Sequence, residues 1–203
     1  MRLPHDAALL IIDMQQAIDD PKWGPRNNPG AERAIAALIA AWRAERLPIV
    51  HIRHDSVEPG SPYRPERPGA AFKAETRPRE GETVIGKSAH SAFVGTRLEE
   101  TLDALGATTL VVCGALIHNC VEASVRHAAD LGYRVFVVAD ACWAVDVVDL
   151  AGRRWPAEDV HALSLALLDG EYAEVVDCAT TLRAAGLANA RSRLKRARAQ
   201  EPE

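Results

Sequence analysis

Apolar residues along this chain collect into six short, nearly unbroken runs, and the stretches between most of them carry apolar residues at helical spacing. The runs are Ala7 to Ile12, Ile49 to Ile52, Thr83 to Ile85, Leu110 to Cys113, Val135 to Val138 and Tyr172 to Val176. Each is of strand length, and a continuous run, unlike an alternating one, predicts a strand buried on both faces of a parallel sheet. Between them, Ala31, Ile35, Leu38, Ile39 and Trp42 keep one helical face, as do Leu98, Leu102 and Leu105 before Gly106. Thr96 to Glu99 has the spacing of a capping box ahead of that second helix. Val121, Val125, Ala128 and Ala129 predict a third helix stopped by Gly132. Val160, Leu163 and Leu167 predict a fourth between Pro156 and Gly170, and Asp177 can cap a last one through Leu182.

Strands and helices that alternate in this way predict an α/β fold: one three-layer α/β/α, Rossmann-like domain over residues 1–186, with a six-stranded, mainly parallel sheet. Two segments stay irregular. Residues 19–30 are rich in Pro, Gly and Asn, and 55–82 contain Pro59, Pro62, Pro65, Pro68 and Pro78. A loop as long as the second one is expected to serve as a lid, a binding loop or an oligomer contact.

Composition narrows the function classes. The 203 residues are 48% hydrophobic and 26% charged, which suits one sizeable core, and the net charge is −4. That balance is uneven. Residues 191–203 carry +3, from Arg191, Arg193, Lys195, Arg196 and Arg198 against two glutamates, which leaves −7 on the rest. Residues 187–203 are expected to form a basic tail, flexible or helical, that is solvated rather than bound to nucleic acid. No apolar run approaches the roughly 18 residues of a membrane span, so no membrane association is expected. Four cysteines without metal-like spacing, and no secretory signal, predict a reduced, cytoplasmic protein.

The chemistry collects where strands end, because an open α/β sheet binds its ligands beyond the carboxyl ends of its strands. Asp13 follows the first run, Lys87 follows the third by two residues, and Cys120 sits between the turn marked by Gly114 and the start of the third helix. Singly, each has a bland reading: a turn cap, a surface charge, a small core residue. Jointly they put a carboxylate, an ammonium and a thiol on one edge. A thiol at a helix start is expected to have a lowered pKa and to be available as thiolate. Cys113, Cys142 and Cys178 read as structural, and Cys113 with Cys120 lacks the Cys-x-x-Cys spacing of a redox pair.

The chain resembles the isochorismatase-like cysteine hydrolases, the superfamily that includes nicotinamidases, N-carbamoylsarcosine amidase and streptothricin hydrolase. The resemblance rests on Leu9 to Gln15, Gly86-Lys87 with Ser91-Ala92-Phe93, Gly114 to Val121, Gly132-Tyr133 and Ala139-Asp140-Ala141. Trp23 to Pro29 and His51 to Ser56 are similar to a subgroup related to streptothricin hydrolase. The resemblance implies a catalytic triad of Asp13, Lys87 and Cys120. It also implies a non-proline cis peptide at Ala115-Leu116, with backbone N–H groups of Leu116 and Cys120 as the oxyanion hole. Isochorismatases proper, which cleave a vinyl ether, lack the cysteine. Cys120 therefore implies acyl transfer through a thioester on a small amide, lactam or ureido substrate, with a non-catalytic or isochorismatase-type member binding a ligand in the same cavity as the alternative. A homo-oligomer is implied.

Ile117 and His118 depart from the threonine and aspartate usual in the family's turn, which leaves substrate fit open. Gln15, Trp23, His54, Phe93 and His118 are the candidates for substrate binding, although isolated aromatics such as Trp23 and Phe93 more often fill cores. Neither a metal nor another cofactor is expected. The Asp-x-His pattern of nicotinamidases is replaced by His51-Ile52-Arg53-His54, and two histidines three apart on a strand face opposite sides of the sheet. His54 then either faces the pocket or is a hydrogen-bonded structural residue.

Overall fold

Six strands form one parallel sheet in the computed structural model, which describes residues 3–4 and 6–186. In chain order the elements are β1 (Ala8–Ile12), α1 (Ala31–Glu45), β2 (Ile49–His54), β3 (Thr83–Lys87), α2 (Leu98–Ala104), β4 (Thr109–Ala115), α3 (Glu122–Asp130), β5 (Arg134–Trp143), β6 (Val147–Val148), β7 (Arg154–Trp155), α4 (Ala157–Leu168) and β8 (Glu174–Val176), followed by a helix over 178–186. The strand order is β3-β2-β1-β4-β5-β8, so the chain winds outward from β1 in one direction and then, from β4, in the other. This is the three-layer α/β architecture expected from the runs. Every residue of β1 and of β4 is buried, which is why their polar alternation is missing from the sequence. Trp42 anchors α1 to the sheet by donating from Nε1 to the Ala7 carbonyl at 2.9 Å.

Three details depart from the sequence pattern. β5 runs on past Asp140 to Trp143, because the Asp140 carboxylate accepts the Cys178 N–H at 2.7 Å and the charge is absorbed without ending the strand. The stretch before Trp155 holds a two-stranded antiparallel hairpin, β6 with β7. Helix α2 begins at Leu98, whose N–H is taken by the Thr96 hydroxyl at 3.2 Å, in place of the expected capping-box contact at Glu99. Asp177 does act as a cap, accepting the Thr180 N–H at 2.6 Å. The basic tail at 187–203 lies outside the described residues.

The sheet's centre sets up the site. At Gly114 the β4–β5 register shifts, and the residue has φ +124°. A Cβ there would stand 2.2 Å from the Ile12 carbonyl oxygen, so only glycine lets the ends of β1 and β4 lie this close. That approach brings the residue after β1 beside the turn after β4.

Candidate active site

Asp13 takes φ +53°, a left-handed conformation that aspartate tolerates better than most residues, and so turns the chain out of β1 at its carboxyl end. Its N–H still bonds to the Ile52 carbonyl at 3.0 Å. Lys87 is the last residue of β3, paired in register with His54 of β2, and its side chain is wholly buried. Cys120 lies in a widened turn over Ile117–Val121 ahead of α3, where Asn119 leaves helical geometry and the Leu116 carbonyl accepts from the N–H groups of both Asn119 and Val121. The Ala115-Leu116 peptide at the start of this turn is cis, as the resemblance implied.

The three side chains meet around the ammonium of Lys87. Its Nζ lies 2.7 Å from Asp13 Oδ2, 3.3 Å from Cys120 Sγ, 3.2 Å from His54 Nδ1 and 3.1 Å from the Ala89 carbonyl. For His54 Nδ1 to accept, the ring must be neutral, and burial followed by the Lys87 charge pushes its pKa down to about 4. Asp13 Oδ1 is buried and has no hydrogen-bond partner. Asp13, His54 and Cys120 bring ligand atoms within 4.8 Å of one another, the spread of a metal cluster. The Lys87 ammonium bonds to all three, so the positive charge this cluster calls for is already supplied by the chain and the donors do not fit a further cation.

The electrostatics correct one expectation. Burial, and next the Asp13 carboxylate, raise the Cys120 thiol to about 12 against the pull of Lys87. At rest the sulfur is therefore a protonated thiol, not a thiolate. Cys120 does stand where helical geometry resumes after Asn119, just ahead of α3, but burial outweighs that placement. Burial also raises Asp13, since Lys87 recovers only part of its lost hydration, and this strengthens the carboxylate as a base.

A cavity of about 300 Å³ opens over this cluster, with Asp13, Ala115, Leu116 and Cys120 in its floor. Trp23 and His54 line it, as candidates from the sequence. Trp23 is fixed by its Nε1 bond to the Ala17 carbonyl at 2.9 Å and packs edge-on against Tyr63. Tyr63 stacks edge-on with His54 as well, and burial, followed by the Asp13 carboxylate, raises its hydroxyl well above the ordinary value.

The other candidates lie outside the cavity. The Gln15 side chain is a clamp, accepting the His54 N–H at 2.7 Å and donating to the carbonyls of His54 and Ala70. Phe93 packs on His127 and Tyr133. Its neighbours Ser91 and Ala92 tie the same segment to α3, through Ser91 Oγ with His127 Nδ1 at 2.9 Å and the Ala92 N–H to Ser124 Oγ at 3.0 Å. His118 points into a separate, apolar groove with Val147, Trp155, Leu163 and Leu167. His51 faces away from the site, bonded to Glu82 at 3.0 Å, so the two histidines of β2 do face opposite sides. The sequence reading missed Tyr63, His90 and Asn119. Of these, only His90 carried a signal, its place three residues after Lys87.

The isochorismatase domain model matches residues 7–180. The chain belongs to the isochorismatase family. Its structure superposes with a TM-score of 0.90 on a crystal structure described as a hydrolase of this family from Chromobacterium violaceum, 55% identical, covering 92% of this chain and 97% of that one. Several relatives bear the names of reactions, two of which follow. Streptothricin hydrolase from Streptomyces noursei is 35% identical over 69% of this chain and 50% of its own length. Maleamate amidohydrolase from Pseudomonas putida is 31% identical over 83% of this chain and 82% of its own. Among the described residues, no helix is long and apolar enough to cross a membrane.

Proposed function

We propose that this isochorismatase-family protein is a cysteine-dependent hydrolase that cleaves a C–N bond of a small amide, lactam or ureido compound through a thioester. The observation that carries the proposal is the convergence of Asp13 and Cys120 on one buried ammonium, at 2.7 and 3.3 Å, in the floor of a cavity of small-molecule size. The relative named as an amidohydrolase supports the bond type.

Asp13 and Cys120 act as an acid–base pair. Because the thiol is protonated at rest, its proton moves to the Asp13 carboxylate as sulfur attacks the carbonyl carbon, and the Lys87 charge offsets the sulfur's developing negative charge. The carbonyl oxygen becomes an oxyanion beside the turn at Leu116 to Cys120, whose backbone N–H groups at Leu116 and Cys120 are the donors we assign to it. Collapse of the adduct breaks the C–N bond, Asp13 passes the thiol's proton to the leaving nitrogen, and the acyl group stays on sulfur. Asp13 then takes a proton from water as the hydroxide forms the new C–O bond, and returns that proton to the sulfur as the C–S bond breaks.

A homo-oligomer in the cytoplasm belongs to the same proposal. It is supported by partly exposed Val147, Leu163 and Leu167 around the second groove, and by four cysteines that are all free and buried. Size-exclusion chromatography with light scattering tests the assembly, and a monomer would remove it.

The central test screens amides, lactams and ureido compounds, nicotinamide and streptothricin among them, with wild type and Cys120→Ala. Activity should be lost in Cys120→Ala, and iodoacetamide should label Cys120 ahead of Cys113, Cys142 and Cys178, because Cys120 lines the cavity beside the Lys87 ammonium. Turnover by Cys120→Ala at the wild-type rate would leave the non-catalytic or isochorismatase-type alternative standing.

A further inference from the structure

Half of the ten exposed large apolar side chains among the described residues fall within 147–167: Val147, Val148, Leu150, Leu163 and Leu167. Apolar side chains scattered singly over a surface need no explanation, but clustered ones mark a place where something docks. Helix α4 has the composition of a helix covered on both sides. Ala157, Ser164 and Leu168 are buried against the domain, yet Ala162, Leu163, Ala166 and Leu167 are exposed on its outward side, and a helix that is apolar all round is ordinarily packed all round.

A projection and a hollow lie side by side on this face. Leu150 stands fully exposed at the tip of the β6–β7 hairpin, and the tip is rigid. Asp149 Oδ1 accepts the N–H groups of Ala151 and Arg153 at 2.9 Å, and Asp149 Oδ2 accepts Trp155 Nε1 at 2.9 Å. A knob held in one shape loses little freedom on docking. Beside it, between the hairpin and α4, runs the apolar groove of about 310 Å³, roomy enough for a leucine side chain. The charges on the rim are complementary too. Arg153 lies over the Trp155 ring at 3.8 Å without a carboxylate partner, and Glu158 and Asp159 are exposed without a cation, all among the described residues. A face that carries both a knob and its hollow, and unpaired charges of both signs, is self-complementary about a two-fold axis, which selects a second copy of this chain as the occupant.

The groove also backs onto the active site. His118 leaves the catalytic turn on the groove side, whereas Asn119 and Cys120 of the same turn line the active cavity. The His118 ring makes no hydrogen bond among the described residues, its Nδ1 being buried without a partner, so packing alone fixes it. Helix α4 packs on that turn as well. Whatever fills the groove therefore presses on the segment that carries the sulfur.

We propose that a second copy of this chain docks on this face about a two-fold axis, with the partner's Leu150 seated in the groove over His118, and that the docked copy holds the Ile117–Val121 turn in place. The active site is complete only in that dimer. The inference rests on the assembly proposed above and deepens it, naming the face that carries the contact and the hold it has on the site.

The test compares wild type with Leu150→Asp and Leu163→Asp, both at exposed positions, and with Leu131→Asp, an exposed leucine outside the cluster. Circular dichroism checks the fold of each. In light scattering after size exclusion, Leu131→Asp should keep the wild-type mass, whereas Leu150→Asp and Leu163→Asp should run at half of it. Their self-association should weaken by about 30-fold or more, since each would bury an unpaired carboxylate in an apolar contact. Hydrogen exchange read by mass spectrometry should then find the amides of 116–121 exchanging about tenfold faster in the two dissociated variants, with β1 and β4 unchanged. A monomeric wild type removes the assembly and this face together. An oligomeric wild type whose mass survives in either Leu150→Asp or Leu163→Asp overturns the inference alone, because the copies then meet elsewhere. Dissociated variants whose turn exchanges as slowly as in wild type overturn the hold on the site. None of these readouts needs turnover, so they stand apart from the choice of Cys120 as nucleophile.

Discussion

Two lysines of this protein are sunk among carboxylates, and they are used in opposite ways. Lys73 reaches Asp19 at 2.5 Å and Glu32 at 3.0 Å, and Glu32 also binds Arg26 at 2.7 Å. Although burial works to raise Glu32, the two cations outweigh it and hold its carboxyl at about 2. Lys87 meets one carboxylate, a neutral imidazole, a carbonyl and a thiol. There burial wins, and Asp13 is raised. The same pair of residue types thus makes a fastener where two cations close on one carboxylate and the rim is wet, and a reactive base where a single cation is shared and water is shut out. The fastener holds the long segment after β2 against the 3₁₀ turn at Gln16–Asp19, and with it the cavity wall that carries Tyr63.

The largest effect that tests this contrast is expected from Lys87→Met set beside Lys73→Met. Lys87→Met should lower turnover by about 10³-fold or more and slow alkylation of Cys120, since the thiol loses the one charge that pulls its pKa down. Turnover should fall further than alkylation. Lys73→Met should keep alkylation within about threefold of wild type and instead cost about 1–2 kcal/mol in urea unfolding, a loss of rim contacts. If the two variants behave alike, the distinction between fastener and base collapses.

Acid unfolding should be the next largest effect. Glu32 and Glu82 are both held at about 2, Glu82 chiefly by its hydrogen bonds to Arg43. A depressed folded-state pKa means that the unfolded chain binds protons first, so this stabilisation is present above the ordinary value of 4.5 and is lost as pH falls from there to about 2. Both carboxylates keep an edge towards solvent, so screening limits the loss in Glu32→Gln to about 1 kcal/mol at neutral pH. The variant and wild type should converge near pH 2 in urea titrations. A constant gap across the whole range would show that Glu32 acts by packing alone. The smallest effect is expected from chelators. Dialysis against one should leave turnover unchanged, because Lys87 already binds all three donors of the one candidate cluster among the described residues. Activity lost and then restored by zinc or manganese would show that a cation competes with Lys87.

Much of the sheet was legible because strands buried on both faces cannot alternate, and β1 and β4 are apolar along almost their whole length. The β6–β7 hairpin was not legible, since two residues per strand leave no period to detect. Asp13, Lys87 and Cys120 were found together because the topology puts strand ends on one edge. Gln15, two residues from Asp13, was misplaced by the left-handed turn at Asp13, which sends the Gln15 amide to the backbone of His54. Phe93 and His118 lie close in sequence to site residues but on the outward side of their turns. Tyr63 and Asn119 carry no pattern at all, for a loop's inward residue is chosen by the walls it packs against.

The lone oxygen of Asp13 bears on how a turnover ends. For the reaction proposed here, the substrate can offer this buried acceptor an N–H, whereas the acid product offers a second negative oxygen. One atom thus welcomes what enters and repels what has been made. Product inhibition by the acid should be weak, and clearing the cavity should not require the walls to move.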